Sequence, residues 1–461
     1  MTSVWLVSHF LSIVGFVLAF ALMARILSER RAPASTLGWL VTIALVPYLG
    51  VPLYLIFGGR KVRRRAARKE RLRFSRAESF AADQLGSVEA TLRSVGVPGA
   101  TFGNRLDVLA TGEDAYAALI AMIDGAQHSI HLATFILGGD AVGDAVLERL
   151  TKRAAEGVEV RLLLDALFSF RATRSALSSL QKAGGKVAYF MPVLHVPFRG
   201  QANLRNHRKI VVIDGARGIV GGMNIALEYM GPSAEPGRFR DLSVFVEGPA
   251  AEQIDAIFRA DWAFAAGETD VLLAPSGNQS ATANATIQVV ASGPDMREDT
   301  FYDAVLTGLF AAKRRAWIAT PYFVPDEALA RALVLAARRG VDVRVVVPAR
   351  SNHFMADIAG GSYLRQVQDA GGRVCPYRAG MIHAKVTVID EDVATIGSAN
   401  MDIRSLFLDY EIALFIYSKP EIERLAAWYE DVLGSCGERL PDAGRVRAFA
   451  ESVGRLVAPL V

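Results

Sequence analysis

The sequence predicts an α/β protein built from a duplicated domain, its two copies packed face to face as a pseudo-two-fold pair and preceded by N-terminal membrane helices. Three observations carry this reading. From about residue 105, amphipathic helical stretches alternate with short Val/Ile/Leu runs. Several segments in that region recur about 180 residues later. Long uncharged apolar stretches are confined to the first 59 residues.

Bulk composition agrees and excludes other classes. A chain of 461 residues exceeds one ordinary domain. At 52% hydrophobic and 21% charged it is not a disordered chain. Its mean hydropathy of +0.26 is high for a purely soluble enzyme. Basic residues exceed acidic ones by only four, with a pI near 9.0, so where the charge sits matters more than its total. Cys375 and Cys436 are the only cysteines, too few for a disulfide framework or a Cys-based zinc site. That usage suits a reducing compartment.

The apolar end comes first. Residues 4–24 carry no Asp, Glu, Lys or Arg and are long enough to cross a bilayer core of about 30 Å. A cleaved signal would need a basic start and a small-residue cleavage site, so a retained anchor is expected. A second uncharged stretch, residues 36–59, carries Pro47 and Pro52, so it spans with a kink or dips in and returns. Residues 60–76 then hold ten basic residues against Glu70 alone, a net +9. The positive-inside rule puts that flank, and the domains after it, on the cytoplasmic side of the inner membrane. Such a run also attracts anionic lipid head groups. Nucleic acid is not expected as a partner, because the run abuts bilayer-length stretches rather than a basic fold surface.

The repeat organises the rest. Ala126-Gln127-His128-Ser129-Ile130-His131-Leu132 is echoed by Ala312-Lys313-Arg314-Arg315-Ala316-Trp317-Ile318. Gly157-Val158-Glu159-Val160 is echoed by Gly340-Val341-Asp342-Val343. The third echo is the sharpest: His207-Arg208-Lys209-Ile210-Val211-Val212-Ile213-Asp214 against His383-Ala384-Lys385-Val386-Thr387-Val388-Ile389-Asp390. The offsets are 186, 183 and 176 residues, too long for a solenoid. The expected parts are apolar segments over 1–59, a basic linker over 60–104, a first domain over 105–273, a linker over 274–285 and a second domain over 286–461.

Alternate side chains share a face of a strand, so His-x-Lys sets an imidazole beside an ammonium while Arg208 or Ala384 points away. Six residues after each Asp comes a turn ending in Asn: Gly221-Gly222-Met223-Asn224 and Gly397-Ser398-Ala399-Asn400. Two His, two Lys and two Asn around one cavity suit a tetrahedral phosphate. The lysines and amides neutralise oxygens, one imidazole attacks phosphorus and the other protonates the leaving alcohol. One His-x-Lys would be weak evidence, but two with equal spacings are not a chance pattern.

The doubled HxKxxxxD motif resembles the phospholipase D superfamily, and the wider context resembles its bacterial cardiolipin synthases. The resemblance takes in Pro47-Tyr48-Leu49-Gly50, Asn203-Leu204-Arg205-Asn206, Thr320-Pro321-Tyr322-Phe323-Val324-Pro325-Asp326 and Met401-Asp402-Ile403-Arg404-Ser405. It implies phospholipase D-type α/β/α domains, a phosphohistidine intermediate and no metal or other cofactor. His207 and His383 become nucleophile and acid/base, and Lys209 and Lys385 hold the phosphate. Asn224 and Asn400 line the site. Glu411 orients His383, and Asp241 is its counterpart in the first copy. Asp214 and Asp390 belong to the motif, with a structural role at the strand end. Gly222 departs from the superfamily pattern, in which Ser is usual, as at Ser398.

The implied reaction condenses two phosphatidylglycerol molecules into cardiolipin and glycerol at the bilayer. The alternative is a phospholipase D-type hydrolase, or a nuclease, with water as acceptor. His128, His131, His195 and His353 show no metal-ligand spacing. Residues 191–198, apolar and marked by prolines, read either as core or as a lipid-access loop.

Overall fold

The computed structural model describes residues 2–28, 33–57, 85–167, 174–191, 204–268, 283–296 and 298–457. The basic run, the proline-marked stretch beyond Met191 and most of the 274–285 linker lie outside them. Two compact units divide the chain, residues 1–62 with 193–203, and residues 63–192 with 204–461.

In the first unit, α1 (Thr2–Ser28) is followed by α2 (Pro33–Leu45) and α3 (Pro47–Phe57). The break at Val46 falls where Pro47 restricts the residue before it. Helix α3 folds back on α2: the rings of Trp39 and Tyr54 meet edge-on at 5.4 Å, and Leu22, Ile26, Ile43 and Tyr54 pack together. The side chains described in α1 begin at Ile13, and among the described residues no helix is long and apolar enough to cross a membrane.

The second unit is organised by one sheet. Its first half holds β1 (Thr101–Leu109), β2 (Ser129–Thr134), β3 (Glu159–Asp165), β4 (Lys186–Phe190), β5 (Ile210–Ile213), β6 (Arg217–Gly221) and β7 (Ser243–Glu247). The second half repeats them as β8 (Ala285–Ser292), β9 (Arg315–Ala319), β11 (Asp342–Pro348), β12 (Arg373–Tyr377), β13 (Val386–Ile389), β14 (Val393–Gly397) and β16 (Glu411–Ile416). Two-residue strands β10 (Phe323–Val324) and β15 (Met401–Asp402) pair separately. The order is β12-β11-β9-β13-β14-β16-β8-β1-β7-β6-β5-β2-β3-β4. The same seven-strand pattern is thus read outward from the β8–β1 seam in both directions.

The repeat pointed to copies packed face to face. They instead join edge to edge, with β1 antiparallel to β8 through Thr101↔Ile287 and Asn104↔Ala285. Each copy would otherwise leave an edge strand with unpaired backbone groups, and pairing the two edges satisfies both. Asn104 fastens the irregular register, donating to Thr101 O at 2.9 Å and Ala285 O at 3.2 Å.

Helices cover the sheet because their apolar faces match buried strands. Helix α6 (Ala141–Ala155) turns Val146, Leu147 and Leu150 inward, and α10 (Glu327–Arg338) does the same with Leu329 and Leu333. Asp140 and Asp326 cap them by accepting backbone N–H groups. After each helix, Gly157 (φ +92°) and Gly340 (φ +87°) take the left-handed turn into β3 and β11, which other residues adopt at a cost. One apolar core therefore lies under each half.

Candidate active site

The His-x-Lys segments sit just before β5 and β13, whose side chains are buried throughout. Each copy's segment is held by the other copy. His207 N donates to Tyr410 O at 2.9 Å, and Asn206 bridges Tyr410. In the mirror relationship, His383 N donates to Arg240 O at 2.8 Å, and Arg240 bridges Ile382.

That crossing decides which carboxylate meets which imidazole. His207 Nδ1 lies 2.9 Å from Glu411 Oε1, and His383 Nδ1 lies 2.7 Å from Asp241 Oδ2. The family resemblance assigned Glu411 to His383 and Asp241 to the first copy. The partners are exchanged, because β16 and the segment before β7 each deliver a carboxylate across the seam. His207 Nδ1 also faces Ser398 O at 3.1 Å; a carbonyl only accepts, so Nδ1 carries the proton and Nε2 keeps its lone pair.

Lys209 Nζ donates to His207 O at 2.7 Å and lies over the Phe135 ring at 5.3 Å. Lys385 Nζ lies 2.8 Å from His383 Nδ1 and also bonds His383 O. Burial and the neighbouring lysines hold His207 well below its usual range. Burial and Lys385 lower His383 to about 3. Burial, helped by repulsion from Lys385, drives Lys209 down to about 7, and burial drives Lys385 to about 8, each against attraction from Asp241 and Glu411. The carboxylates diverge. Burial raises Glu411 to about 7, whereas at Asp241 burial is outweighed by His383, which holds it below its usual range.

The turn residues around the two carboxylates differ. Ser398 donates its hydroxyl to Glu411. At Gly222 a Cβ would stand 2.2 Å from Asp241 Oδ1, so the missing Ser leaves room for the shorter carboxylate to seat against the backbone. Asn224 accepts from Ile136 N at 3.2 Å and tethers that loop; Asn400 is buried, with Oδ1 unpartnered among the described residues.

Asp214 and Asp390 stand at positive φ (54° and 50°) at the strand ends. Asp214 accepts from Gln127, His128 and Ser129 N, and Asp390 from Lys313, Arg314 and Arg315 N. Burial opposes charge at Asp214, but those N–H groups outweigh it and lower its pKa. Both tie the strand to the turn before β2 or β9.

Sequence reasoning missed Arg208. It does point away from the histidine, yet its guanidinium is fully buried against Asp261 at 2.7 and 2.8 Å. It also donates to Glu411 O at 2.9 Å and Ser292 O at 3.1 Å, tying the first copy to the strand that carries Glu411. The signal was its replacement by Ala384 in the other copy. Tyr229 and Phe135, which meet His383 and His207 edge-on at 5.1 and 4.7 Å, were also unread. A cavity of about 600 Å³ is lined by Ile136, whose N–H bonds Asn224, and by Asp140, Glu228 and Arg238 among others. His131 is occupied elsewhere, paired with Asp255 at 2.6 Å.

The family described as "Cardiolipin synthase, PLD-like domain" matches residues 119–262 and 305–433. Cardiolipin synthase 2 of Bacillus anthracis is 33% identical over 96% of this chain and 90% of that protein. The chain belongs to the bacterial cardiolipin synthases of the phospholipase D superfamily. Cardiolipin synthase of Geobacillus thermodenitrificans is 34% identical over 94% of this chain and 90% of that protein. Residues 17–59 match a second family, "Phospholipase_D-nuclease N-terminal". Among solved structures, phosphatidylserine synthase of Haemophilus influenzae shares the fold, with a TM-score of 0.56 at 15% identity over 81% of this chain and 98% of that one.

Proposed function

We propose that this chain makes cardiolipin by phosphatidyl transfer, condensing two phosphatidylglycerol molecules and releasing glycerol. Family membership supplies the reaction; the exchanged carboxylates carry the assignment of roles. His383, held by an ionised Asp241, is the imidazole better able to carry a proton, so it is the acid. His207, held by the weaker Glu411, stays neutral and is the nucleophile.

The lipid's phosphodiester takes its place between Lys209 and Lys385, whose charges it restores, and its negative charge brings a proton onto His383. His207 Nε2 attacks phosphorus, the bond from phosphorus to the glycerol oxygen breaks, and His383 gives that oxygen its proton. Neutral His383 then removes the proton from a head-group hydroxyl of the second phosphatidylglycerol. That oxygen attacks phosphorus, the bond to His207 breaks, and cardiolipin leaves with His383 reprotonated. The proton balance closes over the cycle.

The N-terminal unit supports a location at the inner membrane with the catalytic unit in the cytoplasm. In the sequence, residues 4–24 are uncharged over the length of a span, the hairpin of α2 and α3 suits a re-entrant element, and residues 60–76 supply the basic flank. Water as the acceptor would make the chain a hydrolase, and product analysis separates the two. Purified full-length protein and phosphatidylglycerol should yield cardiolipin and glycerol, whereas phosphatidic acid as the main product would overturn the reading. With a lipid carrying a nitrophenyl leaving group, which needs no acid, His383→Ala should still accumulate phosphatidyl-enzyme and His207→Ala should not.

A further inference from the structure

The last helix, α14 (Arg445–Val457), is turned inside out. Its packed face is polar and small: Glu451, 1% exposed, pairs with Arg365 and Arg447 at 2.9 Å each. Gly454 seats against α11 (Phe354–Asp369), where a Cβ would lie 2.7 Å from Ile358. The opposite face carries Val446, Phe449 and Val453, which are 85%, 73% and 44% exposed. Their i, i+3, i+7 spacing makes one apolar stripe, and a helix covered only by its own unit would turn that stripe inward.

Charge and position indicate what covers it. The one acidic residue of α14 is the buried Glu451, so the ionisable groups near the stripe are the exposed Arg445, Arg447 and Arg455. An apolar stripe beside arginines, the exposed charged residues of the helix itself, complements an anionic bilayer surface, with side chains among the acyl chains and guanidinium groups at the phosphates. The face also leads toward the site. Glu451 packs at Gly361 and Gly454 at Ile358, so α14 runs antiparallel to α11 toward its start. There Phe354 and Met355 are exposed at 73% and 44%. Just before them, Asn352 accepts from the Tyr322 hydroxyl at 2.5 Å and the His353 ring meets Tyr322 at 5.9 Å. Tyr322 O is bonded by Thr320, which also accepts from Met401 N beside Asn400.

We propose that α14, with the start of α11, is a second membrane-docking surface, lying on anionic lipid and bringing the second half of the site to the bilayer. This rests on the reading of the substrate as a lipid.

The test uses the full chain in vesicles of phosphatidylglycerol and phosphatidylethanolamine. A bimane fluorophore on Phe449→Cys should shift to the blue and be quenched at least twofold by lipids brominated on their acyl chains. Bimane on Glu148→Cys, and parent chain treated with the same label, should not. Water-like, unquenched emission at 449 would overturn the proposal, as would cross-linking of position 449 to a second copy or to the N-terminal helices in place of quenching. A Phe449→Glu, Val453→Glu variant should lose at least fivefold in turnover of vesicle lipid and stay within twofold on dispersed short-chain phosphatidylglycerol. Equal losses on both would mean that the face serves the fold. Should the parent chain transfer no phosphatidyl group in either assay, the functional reading fails, while quenching still reports docking.

Discussion

Glu411 lies in the second copy of the repeat, yet its carboxylate holds His207 of the first at 2.9 Å across 204 residues of sequence. Asp241 returns the arrangement to His383 at 2.7 Å. Neither motif histidine finds its carboxylate within its own half, so the proposed catalytic constellation exists only when the halves are joined.

The exchange separates two variants that would otherwise look alike. Asp241→Asn should impair the acid and Glu411→Gln the nucleophile, each lowering kcat by roughly 10²–10⁴ if its carboxylate fixes the tautomer as in other carboxylate–imidazole pairs. A lipid with a nitrophenyl leaving group should rescue Asp241→Asn and leave Glu411→Gln slow. Rescue of Glu411→Gln instead would reverse the role assignment.

The lysines set the alkaline limb. Both pKa values are lowered, Lys209 to about 7 and Lys385 to about 8, so the cationic forms are lost as pH rises through that window. The free enzyme should therefore lose affinity for the phosphodiester, with kcat/KM falling between about pH 7 and 9. In the complex the phosphate holds the protons in place, so kcat should fall at higher pH than kcat/KM. Coincident limbs would assign the titration to another group.

Gly222→Ser restores the residue usual in the superfamily and should nevertheless be harmful. Its Cβ would collide with the Asp241 carboxylate at 2.2 Å, displacing the group that orients His383. We expect a loss of at least tenfold in kcat with little change in melting temperature. Unchanged kcat would show that Asp241 relaxes without cost.

Arg208→Met should act through stability first. Removing one partner of a buried pair costs about 3–5 kcal/mol, because the buried Asp261 carboxylate loses its guanidinium counter-charge. Denaturant unfolding should show that loss, and Arg208→Met combined with Asp261→Leu should recover much of it. Turnover should recover less, because the bond from Arg208 to Glu411 O stays broken.

The motif was legible in the chain because it is local and doubled. His207, Lys209 and Asp214 occupy one short segment, as do His383, Lys385 and Asp390, and strand periodicity places each His and Lys together whatever surrounds them. The same locality exposed the α/β alternation, the Gly157 and Gly340 turns and the apolar N-terminal stretches. Pairings made across the seam were hidden. Which carboxylate reaches which imidazole depends on β1 meeting β8 edge to edge, and two copies with equivalent motifs admit either pairing until that seam is set. Arg208 was hidden for the same reason, since its partners come from three separated stretches of chain. Periodicity shows that α14 has an apolar face, but the direction of that face follows from where Gly454 and Glu451 find room against α11. Local pattern is written into consecutive residues; the choice among equivalent long-range partners is made by packing and by the need to pair backbone edges and buried charges.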